Sequence, residues 1–191
     1  MGFLSKIRAA FDGSNPTATK SHPQRRPSDH PADYYGQGFE MATEGIEWPP
    51  EARDAVRATM AEVLNVGEWQ ANKALTAVWP DSFRWPEAEL YLFDLDIDPT
   101  PRQMMILLRT HVMRATYQLL RIEQMREVAA NSIAMGRPHV LVADTCEPEG
   151  VSRCGIRNKE TRSCEVFLAE GMPPCLIFGC DCGWTVQWQK P

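Results

Sequence analysis

The sequence has no hydrophobic run long enough for a membrane helix, and its N-terminus lacks a secretory signal. Spanning a bilayer takes about 20 consecutive apolar residues, and no stretch of the 191 residues approaches that length. The first residues also lack the apolar core and small-residue cleavage site of a signal peptide. We therefore expect a protein that is made in the reducing cytoplasm of its host cell and has no membrane partner.

The chain also lacks an excess of basic charge and the common motifs of nucleotide and hydrolase chemistry. It has 20 Lys and Arg against 25 Asp and Glu, whereas nucleic-acid binding needs a dense basic surface. No Walker loop, G-x-G-x-x-G or G-x-S-x-G motif occurs. These absences predict a protein that is not an enzyme and for which nucleic acid is not the expected partner.

Charge is unevenly distributed along the chain. Residues 45–99 have four basic and eleven acidic residues, and residues 100–137 have six basic and two acidic ones. We expect the arginines of the second segment to face the carboxylates of the first, within one chain or between neighbouring chains.

Aliphatic residues are scarce from Gly13 to about Gly45, and we interpret residues 1–44 as an amphipathic peptide followed by a flexible, extended arm. The peptide, Met1–Phe11, has apolar residues at helical spacing, namely Phe3, Leu4, Ile7, Ala10 and Phe11. Such a peptide on a tether can dock on a partner at high effective concentration. The alternative is a frayed terminus without a role.

Helical periodicity dominates residues 45–137. It predicts a helix that ends near Gly67, a second from Glu68 to about Val78, and a long helix over about residues 100–136. The tryptophans of this domain are expected to build its core; they are Trp48, Trp69, Trp79 and Trp85. The seam of the long helix needs a partner, which predicts packing within the chain or a homo-oligomer.

Residues 138–191 change to an extended pattern in "HVLVAD", "EVFLAE" and "WTVQW", each of which predicts a short strand. The expected fold class is therefore α+β. It comprises an N-terminal extended arm, a helical body with one long helix, and a small C-terminal cysteine-rich β module.

No cysteine occurs in the first 145 residues, and all six follow: Cys146, Cys154, Cys164, Cys175, Cys180 and Cys182. In a reducing cytoplasm such clusters favour metal ligands over disulfides. Cys180 and Cys182 are two residues apart, so on an extended backbone both thiolates point to one side. The predicted cofactor is a structural zinc, bound by this pair and by Cys146 and Cys154, with Cys175 competing for a place.

Other states of these thiols stay open at this point. Disulfides could form after release from the cell, or the thiols could be reduced and packed. His139 could replace one cysteine as a ligand, and Cys164 is interpreted as a core residue.

The string "LYLFDLDIDPT" resembles the nucleophile motif of haloacid dehalogenase-type phosphatases, in which two aspartates two residues apart follow an apolar strand. Here these would be Asp94 and Asp96. Ile97 and Asp98 replace the Gly-Thr turn of that family, and we interpret the string as an acidic lead-in to the long helix.

The C-terminal order of elements resembles the cysteine-bearing end of head-morphogenesis or minor capsid proteins of tailed phages. A long helix is followed by Asp144, by Cys146 and Cys154, by Pro173-Pro174, and by Cys180 and Cys182, over residues 100–183. The resemblance implies a non-enzymatic structural or head-assembly accessory protein of the virion, with portal or capsid as partner and a homo-oligomeric state.

A regulator whose zinc module binds nucleic acid or a host protein is the alternative. Four basic residues lie between the cysteines and could contact phosphate: Arg153, Arg157, Lys159 and Arg162. Acidic residues are interleaved with them.

Overall fold

The computed structural model describes residues 33–64, 66–137, 139–145, 152–178, 180 and 182–188. These residues form six helices and one small sheet, which confirms the α+β class. The helices are α1 (Tyr34–Ala42), α2 (Ala52–Glu62), α3 (Glu68–Val78), α4 (Pro86–Asp94), α5 (Pro101–Ala134) and α6 (Cys164–Glu170). The strands are β1 (His139–Asp144), β2 (Thr161–Ser163) and β3 (Gly183–Trp188).

The described residues divide into two compact units, one up to Thr116 and one from Tyr117 onward. The division falls within α5, so the second half of the long helix belongs with the cysteine-bearing module. The sequence places that boundary at residues 137 and 138. The difference arises because Met125 and Ala129 of α5 lie in the same buried cluster as Leu141 of β1.

Helix α5 is the predicted long helix, and its ends follow from local chemistry. The backbone N–H of Gln103 donates to Thr100 Oγ1, and the Gln103 side chain accepts from the backbone N–H of Thr100, which makes a capping box. Gly136 ends the helix at a φ of 62°, where glycine is favoured. No helix of the described residues is both long and apolar enough to cross a membrane.

Helix α1 corrects the prediction of an extended arm up to residue 44. Asp33 caps the helix by accepting a hydrogen bond from the backbone N–H of Gly36, and Phe39 is fully buried. The buried residues of this helix include an aromatic ring and glycines but few aliphatic residues. The low aliphatic content of the segment therefore does not indicate a buried helix. Residues 1–32, with the amphipathic peptide and the remaining arm, lie outside the described residues.

Aromatic rings fill the core of the first unit. Their centroids are 4.7 to 6.5 Å apart in a cluster of Phe39, Trp48, Trp79 and Phe83. Trp85 is buried as well, beside His111. The core prediction for Trp69 is wrong, because this side chain is 74% exposed and lies beneath the ammonium group of Lys73.

The expected pairing of long-helix arginines with the acidic segment is largely missing from the first unit. No ion pair of the described residues includes Arg102 or Arg109. Burial lowers the pKa of Arg109, and the nearby carboxylate of Glu68 only partly opposes that effect. Most carboxylates of residues 45–99 are on exposed residues and form no ion pair with a cation of the described part of the chain.

The second unit contains an antiparallel sheet in the order β2-β1-β3. Its core consists of Met125, Ala129, Leu141, Ala143, Cys164, Phe167 and Trp184. The strand predicted for "EVFLAE" is wrong, because this segment is helix α6. Ser163 Oγ caps the helix by accepting from the backbone N–H of Val166, and Gly171 at a φ of 73° ends it.

Candidate metal centre

Four thiol groups converge at one end of the sheet. They belong to Cys154, Cys175, Cys180 and Cys182, and their sulfur atoms all lie within 4.8 Å of one another. The Sγ of Cys154 is 3.3 Å from that of Cys182 and 3.4 Å from that of Cys180. The described cysteines form no disulfide. Such a group of sulfurs could hold a metal ion.

A tight turn over residues 152–156 positions Cys154. The backbone N–H of Ser152 donates to the carbonyl of Ile156, and the N–H of Gly155 donates back to the carbonyl of Ser152. Gly155 has a φ of 83° and open space around it, so the turn needs glycine for its backbone conformation. The buried Ser152 hydroxyl lies 3.1 Å from the Cys154 sulfur. These hydrogen bonds position the Cys154 sulfur without the help of a second cysteine close to it in the sequence.

The other three cysteines of the cluster belong to the segment that leads into β3. The backbone N–H of Cys175 donates to Gln118 Oε1 of α5 at 2.6 Å, and the N–H of Cys180 donates to the carbonyl of Ile177. Cys182 directly precedes Gly183, which pairs with Asp144 at the end of β1. The segment is thus held both by the long helix and by the sheet.

A guanidinium group joins these two parts of the centre. Arg153, next to Cys154, donates from Nη1 to the carbonyl of Phe178 at 3.2 Å. This bond connects the turn that carries Cys154 with the segment that carries Cys180.

The predicted ligands are brought together in part. Cys154, Cys175, Cys180 and Cys182 lie in one cluster, and Cys175, which the sequence left as a competitor, is a full member of it. Cys146 lies outside the described residues. The sequence contains no local signal that favours Cys175 over Cys146 as a member of the cluster. The hydrogen bond that holds Cys175, donated by its backbone N–H to Gln118, joins residues 57 positions apart.

Two other candidates lie away from the cluster. Cys164 is buried at the start of α6, and its thiol donates to the carbonyl of His139, as expected of a core cysteine. His139 pairs with Trp188, at the opposite end of β1 from the strand pair next to Cys182. At about 3.3 Å per residue the length of the strand separates His139 from the sulfurs.

The surroundings of two of these thiols, Cys180 and Cys182, disfavour their ionisation. Hydrogen bonding with Cys175, followed by burial, raises the pKa of the Cys182 thiol. Burial raises the pKa of Cys180, and its contact with Cys154 adds to this effect. A cation among the sulfurs would reverse this preference, since metal ligation requires thiolates.

A half-open cleft of about 450 Å³ adjoins the centre. Its walls are mainly apolar side chains together with Cys154, Cys175 and Cys182. Two arginines line it, Arg121 and Arg162, and none of the lining residues that the structure describes is a carboxylate. These guanidinium groups would offset part of the negative charge that four thiolates carry.

The phosphatase-like string does not form the structure that its chemistry would need. Asp94 is the last residue of helix α4, whereas the dehalogenase motif puts its first aspartate directly after a strand. The two aspartates thus flank a helix end in the first unit.

Comparisons with protein families, curated proteins and solved structures find no match for this chain. The geometry of the four-cysteine centre, together with the order of elements in the sequence, therefore carries the functional argument.

Proposed function

We propose that the protein is a non-enzymatic structural protein whose C-terminal module is folded around a zinc ion bound by Cys154, Cys175, Cys180 and Cys182. The observation that carries this proposal is the convergence of four sulfurs within 4.8 Å. A tetrahedral set of four thiolates is typical of zinc or of iron–sulfur sites, and soft sulfur ligands disfavour magnesium and calcium.

The sulfur separations fit a tetrahedral zinc better than disulfides. Zinc–sulfur bonds of about 2.3 Å hold the ligands about 3.8 Å apart, and two of the separations between these sulfurs are 3.3 and 3.4 Å. A disulfide would bring two sulfurs to about 2.0 Å. Four protein ligands also leave no position for a reacting water, which favours a structural role over a catalytic one.

The small module has a physical need for such an ion. Its sheet has three strands, one of them only three residues long, and the segment from Gly171 to Phe178 has no regular secondary structure. A core of this size contributes little stability by itself. Metal binding to ligands from distant parts of the chain adds directly to the folding free energy.

We further propose that this module and the long helix serve phage head assembly. The order of helix, strand, cysteines and Pro-Pro step that resembles head-morphogenesis and minor capsid proteins supports this role. Portal or capsid is the proposed partner, the amphipathic N-terminus the proposed docking element, and the virion the proposed location. The homo-oligomeric state is part of the same proposal and follows from the resemblance alone, because Met105, Leu108, Val112 and Ala115 of the α5 seam are already buried within one chain.

Elemental analysis of the purified full-length protein, together with a thiol count, tests the metal proposal. We expect one zinc per chain and a melting temperature that falls when a chelator removes it. Cys180→Ser and Cys182→Ser should each lose the zinc and the structure of the module while the helices of the first unit stay folded. Absence of metal, with melting unchanged by chelator, would overturn the proposal.

Fractionation of the cells that make the protein tests the assembly role. We expect mass spectrometry to detect the protein in particles purified through a density gradient, at a fixed ratio to the major capsid protein. Recovery only in the particle-free fraction would contradict a virion location.

The contacts of the basic residues between the cysteines give little support to the nucleic-acid alternative. Lys159 forms an ion pair with Asp144 at 3.4 Å, and Arg162 with Glu160 at 3.5 Å. Arg162 also lies over the ring of Trp184, and Arg153 donates to the backbone. A salt-dependent mobility shift with duplex DNA or RNA would favour this alternative over the structural role.

A further inference from the structure

The cleft beside the four cysteines gives their sulfurs unequal access to solvent. Cys154, Cys175 and Cys182 line this half-open cleft. Cys180 is not among the lining residues that the structure describes, and it is only 1% exposed. Accessible thiolates react with oxidants, whereas buried cysteines are inert. Oxidation of the cluster should therefore begin at a sulfur that lines the cleft.

Cys154 and Cys182 are two accessible cysteines whose sulfurs lie close together. The two Sγ atoms are 3.3 Å apart, so a movement of about 1.3 Å would bring them to the length of a disulfide. Cys154 also contacts Cys180 at 3.4 Å, but that second sulfur is buried. Distance and access together favour a bond between Cys154 and Cys182.

The positions of the cysteines in the chain favour the same pair over Cys175 with Cys182. Cys154 is 28 positions from Cys182, whereas Cys175 is only seven positions from it. A disulfide stabilises a chain more when it closes a longer loop. Because thiol–disulfide exchange lets neighbouring sulfurs trade partners, the oxidised cluster should settle on the bond that joins the turn of Cys154 to the segment before β3.

A guanidinium group lies beside this pair. Arg121 lines the cleft, and its Nη1 is 3.6 Å from the position that a Cβ on Gly183, the residue after Cys182, would occupy. No ion pair of the described residues includes Arg121. Hydroxide leaves when a thiolate attacks a peroxide, and a nearby positive charge stabilises the negative charge that develops.

We propose that Cys154 and Cys182 are a peroxide-sensitive pair whose oxidation releases zinc, with Arg121 assisting the departure of hydroxide. The thiolate of one cysteine attacks an oxygen of hydrogen peroxide; the O–O bond breaks, hydroxide leaves, and the sulfur becomes a sulfenic acid. The second thiolate attacks that sulfur, forms the S–S bond and displaces a second hydroxide. Solvent protons convert both hydroxides to water, so the two sulfurs lose two electrons and the peroxide gains them.

Oxidation of this pair would exchange one cross-link of the module for another. The disulfide removes two of the four ligands, and the two thiols that remain, Cys175 and Cys180, are too few for a closed zinc site. The new bond still joins the two parts of the chain that the ion had held together. The release of zinc rests on the metal centre of the proposed function, whereas the pairing of the two sulfurs does not.

Treatment of the zinc-loaded full-length protein with hydrogen peroxide tests the pair. A chromophoric zinc indicator follows release, and peptide mapping without reduction identifies the disulfide. After free thiols are alkylated, trypsin isolates Cys154 in residues 154–157, and a protease that cleaves before Asp181 separates Cys180 from Cys182. We expect one zinc released for each disulfide and residues 154–157 linked to residues 181–191. Addition of dithiothreitol and zinc should restore the metal.

Other oxidation products would overturn the inference. These are a bond from Cys154 to Cys175 or Cys180, a bond between Cys175 and Cys182, or sulfinic and sulfonic acids without any disulfide. Failure of the proposed function gives a different result. A protein that takes up no zinc but still links Cys154 to Cys182 would rule out the metal centre and leave the pairing intact.

Replacement of Arg121 tests the part assigned to its charge. Arg121→Gln should slow zinc release by peroxide about fivefold, which corresponds to the interaction of two unit charges about 4 Å apart in water. Arg126→Gln is the matched control, because Arg126 lies on the same helix but is not among the described residues that line the cleft. Rates are compared from equal zinc contents. Equal rates for the two variants would overturn the role of Arg121.

Discussion

The side chain of Gln118 accepts a hydrogen bond from the backbone N–H of Cys175 at 2.6 Å. Gln118 lies on α5, whereas Cys175 lies in a segment without regular secondary structure. This bond ties the segment to a rigid helix at the point where it supplies a sulfur. The long helix therefore helps to support the four-cysteine cluster, in addition to its role in packing.

Gln118→Ala should weaken zinc binding about tenfold, the lower end of the range for residues that orient metal ligands. The physical reason is that Cys175 loses the acceptor that fixes its backbone. Competition with a chromophoric zinc chelator measures the affinity. Gln124→Ala, at an exposed position of the same helix, should bind zinc as the wild type does. Equal affinities for the two variants would contradict the role of Gln118.

Cys154→Ser and Cys164→Ser should have different effects on zinc content and on stability. Cys154 contacts two other sulfurs, so its loss should abolish stoichiometric zinc and remove the effect of chelator on melting. Cys164 lies in the core, and its replacement should lower stability by about 1–2 kcal/mol while one zinc stays bound. Elemental analysis and thermal melts read out both. Loss of zinc from Cys164→Ser alone would overturn the ligand assignment.

The sequence predicts elements well where local signals and burial agree. Helix α3 coincides with the predicted Glu68–Val78, and α5 lies within the predicted long helix. The segment "EVFLAE" forms a helix instead of the predicted strand, because Ser163 caps it and Gly171 ends it. A short apolar run fits a strand or a helix by periodicity, so flanking residues decide.

The sequence predicts the candidate site only through the clustering of the cysteines near the C-terminus and the spacing between them. Cys180 and Cys182 follow from their two-residue spacing. The contribution of Cys175 depends on Gln118 and on the turn around Cys154, which are long-range features without a local signal. Helix α1 was missed for a related reason, since its burial depends on close approach of a glycine to another helix.

Gly38→Ala should destabilise the first unit by about 1–3 kcal/mol, the usual range for overpacking. A Cβ at this position would clash with Thr116 Oγ1 and would lie 2.8 Å from the Thr116 backbone nitrogen. The backbone of α5 cannot shift enough to relieve this contact. Gln37→Ala, at an exposed position of α1, is the control and should leave the urea midpoint nearly unchanged. An unchanged midpoint for Gly38→Ala would show that α1 is not packed on α5.

Asp96→Gly should raise stability by about 1 kcal/mol. Glycine removes the strain of the left-handed conformation and takes a negative charge away from the C-terminal end of α4. Chemical denaturation of the variant beside the wild type measures the gain. Asp81→Gly, another exposed aspartate in a turn of the same unit, should bring no comparable increase. A decrease for Asp96→Gly would mean that its carboxylate stabilises the turn.

His111 should make the stability of the first unit depend on pH. Burial lowers the pKa of His111 from 6.5 to about 4, and the nearby Arg114 contributes. As the pH falls, His111 therefore becomes protonated near pH 6.5 in the unfolded chain but only near pH 4 in the folded chain. The stability linked to this group is complete above pH 6.5 and is lost as the pH falls toward 4, by at most about 3 kcal/mol.

Urea unfolding at pH 7, 5.5 and 4.5 measures this dependence, and His111→Gln removes the titrating group. The variant should be less stable than the wild type at pH 7, since glutamine replaces a ring packed against Trp85. Its stability should then fall less steeply with acid, so that the difference between the two proteins narrows as the pH falls. Carboxylates and metal ligands titrate in both proteins and cancel in the difference. Parallel curves for the two proteins would mean that folding does not shift the pKa of His111.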